Sequence, residues 1–137
     1  MQESQGHLMD PTPPVRTRLP DCRWAQLHNL MIHDQVITVG IGFDRPNGCP
    51  LEVFLTGVKH GQDLALILDD LAVVISLALQ YGIPPAALAK SMGRLPAAPL
   101  DPGVLDQPDS QGPRLPASVV GAVLDLLCEV ASQEGAR

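Results

Sequence analysis

The sequence predicts an α+β fold: an antiparallel three-stranded meander, then a long buried helix, a short helix and a C-terminal helix packed on the sheet. Three observations carry this. Two neighbouring segments, Gln35 to Phe43 and Leu51 to Val58, alternate apolar and small or polar residues, the period of a half-buried strand. The period changes to 3.6 in the next segment, Leu64 to Leu79, which marks a helix. Fourteen prolines and twelve glycines fall in clusters between the periodic segments, where turns and linkers belong.

Taken in order, residues 1–17 are polar and proline-rich (Asp10-Pro11-Thr12-Pro13-Pro14) and read as a disordered or extended arm. Ala25 to Ile32 has a mixed pattern and supplies the first strand. In the second, Ile37, Val39, Ile41 and Phe43 form one apolar face. Gly40 and Gly42 leave the other face nearly bare, for close packing of another backbone or for a bend or bulge. Asp44-Arg45-Pro46-Asn47-Gly48 is a turn. The third strand points Leu51, Val53 and Leu55 one way and Glu52, Phe54, Thr56 and Val58 the other.

Asp63 sits where a carboxylate favours a helix N-terminus. Leu64, Ile67, Leu68, Leu71, Val74, Ile75 and Ala78 form the expected buried stripe. Most other positions of this helix are apolar too, so it is expected to be covered on more than one side. Gly82 stops it. Pro84 and Pro85 open a short helix, Ala86 to Met92, ended by Gly93. Residues 97–116 hold five prolines and read as a linker. Pro116 opens the last helix, with Val119, Val120, Val123, Leu127 and Val130 on its apolar face. The resulting division is an arm at 1–17, an α+β domain at 18–96, a linker at 97–116 and a docked helix at 117–134.

The totals exclude several classes. The 137 residues suit one domain. The core must be aliphatic, since there are only one Trp, one Tyr and two Phe. A net charge of -6 without a Lys/Arg patch disfavours nucleic acid and anionic membrane surfaces. Cys22, Cys49 and Cys128 are odd in number and far apart, which is the pattern of reduced thiols in a cytoplasmic protein. The apolar stretch Leu64 to Leu79 contains Asp69 and Asp70 and falls short of the roughly 20 residues of a membrane span.

The residues offer no catalytic constellation. Asp69 and Asp70 are helix neighbours, which diverge by about 100° and so do not converge on one substrate. His28, His33 and His60 lack the short spacing of a metal site, so no metal is expected. Ser76 lies mid-helix without a nucleophile elbow, and its hydroxyl is expected to bond back to its own helix. Lys59-His60-Gly61 precedes a helix N-terminus, a place for a nucleotide phosphate, although Asp63 opposes it.

One block resembles a known family. Arg18-Leu19-Pro20-Asp21 with Arg23, then Ile37-Thr38-Val39-Gly40, Leu51-Glu52-Val53-Phe54, Lys59-His60-Gly61 and Ile75-Ser76-Leu77-Ala78-Leu79-Gln80-Tyr81-Gly82-Ile83-Pro84 look like the TSCPD domain. That domain lies at the C-terminal end of vitamin B12-dependent (class II) ribonucleotide reductases, and the likeness spans roughly residues 18–96. It marks Glu52, Phe54, Gly61, Ser76, Gln80, Tyr81 and Gly82 as fold-defining positions. It transfers no catalytic residue and no cofactor, because 137 residues leave no room for the large barrel that carries the radical chemistry. The terminal cysteine pair is also missing, since Cys128 stands alone. The resemblance therefore implies a non-catalytic, stand-alone module of bacterial or prophage type. It would bind a protein partner such as a ribonucleotide reductase, or regulate nucleotide metabolism. The rival readings are a nucleotide-binding protein and an enzyme subunit active only in a complex. An exposed sheet edge and an aliphatic face are compatible with a homodimer.

Overall fold

The computed structural model describes residues 13–32, 35–46, 48–57, 62–96 and 114–135. The sheet is β1 (Trp24–Ile32), β2 (Gln35–Phe43) and β3 (Pro50–Thr56), antiparallel and in that spatial order. The period-two pattern decides which face is buried. Ile37, Val39, Ile41, Phe43, Val53 and Leu55 all point to one side and are buried. On the opposite face Leu27 and Phe54 flank Gly40 in register, and both remain more than half exposed. The expected bend at the glycines is present as a register shift between Gly42 and Phe43.

The long helix is α1 (Gln62–Gln80), with Asp63 in its first turn. Its end is a Schellman motif: Gly82 N–H donates to Leu79 C=O and Ile83 N–H to Ala78 C=O, each at 3.0 Å. Gly82 takes φ +93° there, a region glycine enters without Cβ strain. The short helix α2 is Pro85–Ala89, with proline in its first turn as expected. It stops three residues before the expected Met92, where the chain closes a turn from Met92 N–H to Ala89 C=O.

The C-terminal helix α3 is Val119–Gly135. Ser118 caps it by accepting from Gly121 N–H at 3.2 Å. Val123, Leu124, Leu127 and Val130 of α3 meet Leu68, Ala72, Ile75 and Leu79 of α1 in one aliphatic core with the sheet.

Two expectations are corrected here. The segment expected as linker ends in a strand. Arg94–Pro96 (β4) and Arg114–Pro116 (β5), the same Arg-Leu-Pro tripeptide twice, pair antiparallel. Proline content hid them, and their pairing is a tertiary contact. Arg94 then binds Asp125 of α3 through both guanidinium nitrogens at 2.7 and 2.6 Å, so β4 is tied to the last helix. Residues 97–113 lie outside the described residues.

The buried stripe of α1 is also rotated from the expected one. Leu68, Ala72, Ile75 and Leu79 are buried, while Ile67 and Val74 are 61% and 60% exposed. A helix that is apolar all round does not announce which stripe faces inward. Its hydrogen bonds to β3 decide that. Leu66 and Val73 are exposed as well, so the helix is not covered on a second side by the described residues. Among those residues no helix is long and apolar enough to cross a membrane.

Candidate interaction groove

β3 lies at an edge of the sheet, and α1 runs along it. A strand edge presents unpaired backbone groups, and α1 satisfies two successive outward positions. Ser76 Oγ accepts from Val53 N–H at 2.9 Å and donates to Val53 C=O at 3.3 Å. One helical turn on, Gln80 Nε2 donates to Leu51 C=O at 3.0 Å. The match is geometric. Positions i and i+4 rise about 6 Å on a helix, and two strand residues span about 6.8 Å. The expected bond from Ser76 to its own helix is therefore replaced by a bond to the sheet.

Gln80 is buried and uses both ends of its amide. Its Oε1 accepts from Arg16 Nε at 2.5 Å, and its backbone C=O accepts from Thr17 N–H at 2.8 Å. The segment before the sheet is thereby held against the end of α1. Glu52, on the outer face of β3, is bound by Arg23 at 2.9 Å.

These contacts leave a groove of about 410 Å³ between β3 and α1, lined by Arg16, Glu52, Phe54, Thr56, Asp69, Val73, Ser76, Leu77 and Gln80 among others. Four of the positions marked in the sequence, Glu52, Phe54, Ser76 and Gln80, converge on it. Tyr81 and Gly82 follow at the end of α1, with Tyr81 46% exposed. Gly61 falls outside the described residues, as do Lys59 and His60 of the phosphate reading. Arg16, Val73 and Leu77 are groove residues that sequence reasoning missed. Arg16 meets Gln80 across 64 positions, and nothing local signals such a contact.

The polar groups of the groove are already engaged or exposed at its rim. Ser76 Oγ is committed to backbone, Glu52 is neutralised by Arg23, and Asp69 stands exposed at the rim. The apolar part of the lining includes Phe54, Val73 and Leu77. Among the described residues, no three His, Cys, Asp or Glu side chains converge as metal ligands. Cys22 and Cys49 are exposed free thiols. Burial pushes the Cys128 thiol above its ordinary range, and Asp125 adds to the shift while Arg94 opposes it.

A three-stranded antiparallel sheet packed against helices, with a small two-stranded ribbon beside it, defines a small α+β domain. The chain belongs to the TSCPD domain family, whose model matches residues 12–127. It is also similar to the vitamin B12-dependent ribonucleotide reductase of Rhodopirellula baltica, 38% identical over 73 residues. That stretch is 52% of this chain and 7% of the reductase. No solved structure matches the chain.

Proposed function

We propose that this protein is a non-catalytic docking module allied to ribonucleotide reductase, acting as an accessory or regulatory component through protein–protein binding. The observation that carries the reading is the outer side of α1. Leu66, Ile67, Val73 and Val74 are each 57–61% exposed, on a helix whose apolar character runs all round. A helix of that composition is ordinarily enclosed, and large exposed apolar patches mark interaction sites. Val73 opens directly into the β3–α1 groove beside Phe54, so a partner segment laid along α1 meets both. The family membership and the likeness to the reductase support a reductase as that partner.

The test is affinity capture from the native host with the tagged chain and with Val73→Glu. The expected result is that the wild-type chain recovers a ribonucleotide reductase and the variant loses it while keeping its melting temperature. Capture that never contains a reductase overturns the reductase reading. A reductase whose turnover is unchanged on saturation with the module overturns the regulatory role.

A further inference from the structure

The two edges of the sheet are treated in opposite ways. β3 is closed by Ser76 and Gln80. β1 is open. Sheets normally guard an open edge with charge, proline, a bulge or a covering element. Among the described residues β1 carries no charge, proline or bulge, and no element pairs with its outward edge. It is nine residues long, Trp-Ala-Gln-Leu-His-Asn-Leu-Met-Ile, without a charged residue or proline. It pairs with β2 in continuous register. Among the described residues nothing is bonded to its outward backbone edge. Leu27 and Met31 stand 77% and 74% exposed along it.

We propose that β1 pairs antiparallel with β1 of a second copy of this chain, joining two three-stranded sheets into one of six strands. Self-pairing of an antiparallel strand is two-fold symmetric, so one surface serves both copies. The chain carries a net charge of -6, which opposes association in general, but this strand brings no charge to the contact. Because α1 occupies the β3 edge, pairing uses the edge left open among the described residues and stops at two copies, where two open edges would propagate a filament.

The side chains agree with the symmetry. A pairing centred on His28, the middle residue, sets Ala25 opposite the partner's Met31 and Leu27 opposite the partner's Asn29 on the outer face. Leu27 and Met31 then join Val36 and Phe54, both at least half exposed, in one apolar band across the dimer. Four large apolar residues, each at least half exposed, make up that band, and contiguous exposed apolar patches mark interaction surfaces. The paired edge, β1, is the edge opposite the β3–α1 groove, and the apolar band shares Phe54 with that groove.

The experiment is sedimentation equilibrium of the full chain over a concentration series, with isotope-filtered NMR on a mixed labelled and unlabelled sample. The expected mass is twice the monomer's 14.6 kDa, with cross-copy Hα–Hα contacts confined to β1. Leu27→Lys/Asn29→Lys sets like charges opposite one another and raises the dimer dissociation constant about tenfold. Val73→Glu leaves the dimer intact. A monomeric mass throughout, or cross-copy contacts that map to α1, overturns the proposal. So does a monomer whose reductase capture is lost in the double lysine variant, since β1 then belongs to a different protein. The wild-type NMR decides the matter even if the lysine variant fails to fold.

Discussion

Replacing Ser76 by alanine removes one oxygen and tests how the helix is held to the sheet. Val53 is 2% exposed, and its N–H loses its acceptor at 2.9 Å. A buried donor left unsatisfied costs about 1–3 kcal/mol. The companion bond to Val53 C=O is long at 3.3 Å and adds little. Ser76 borders the groove, so water reaches the vacated position and draws the cost toward the lower half of that range. Alanine returns about 0.5 kcal/mol through its better helix propensity. The net loss is about 1 kcal/mol, which lowers the melting temperature of a domain this size by about 4 °C. Thermal unfolding by circular dichroism measures the shift, and amide hydrogen exchange locates it. The Val53 amide should lose protection first while amides of the β1–β2 ladder keep theirs. A melting temperature within about 1 °C of wild type, together with unchanged Val53 exchange, would refute the account of Ser76 as the clamp on the β3 edge.

Three further outcomes follow from the same structure. A Cβ at Gly42 would lie 2.7 Å from Glu52 Oε2 and 3.2 Å from Glu52 Cβ, whereas at Gly40 the nearest atom is Leu27 Cδ2 at 3.5 Å. Gly42→Ala should therefore displace Glu52 from Arg23 and destabilise by about 1–3 kcal/mol, while Gly40→Ala stays near wild type in urea unfolding. The Cys128 thiol is raised in the folded state, chiefly by burial, so between the unfolded and folded thiol values the native state binds more protons than the unfolded one. Stability should fall as pH rises above about 8.5. Cys128→Ala should flatten that alkaline decline in denaturant titrations at stepped pH. Mass mapping after brief iodoacetamide treatment should find Cys22 and Cys49 modified before Cys128.

Much of the fold was legible because its signals are local. The alternation of Ile37, Val39, Ile41 and Phe43 needs no partner to declare a strand with one buried face, and the boundaries of β2 agree with it to the residue. Gly82 after an apolar helix announces a C-terminal cap wherever the helix docks. The candidate groove was legible only in part. Glu52, Phe54, Ser76 and Gln80 stood out through their likeness to a family, but nothing in their spacing said that they share a groove. Arg16 and Val73 stood out in no way, and Leu77 only as one residue of the string that resembles the family. The short strands β4 and β5 were hidden because each is a proline-ended tripeptide whose order comes from the other.

The sequence by itself therefore determined the class of fold, the order of its elements and the inward face of the sheet, since periods of 2 and 3.6 are properties of the chain's own geometry. Only the tertiary structure decided how α1 is turned about its axis. With apolar residues on every side, burial alone leaves several rotations close in energy. Two directional bonds, from Ser76 to Val53 and from Gln80 to Leu51, select one of them. That choice buries Leu68 and Ile75, leaves Leu66 and Val73 exposed and sets α1 against the β3 edge.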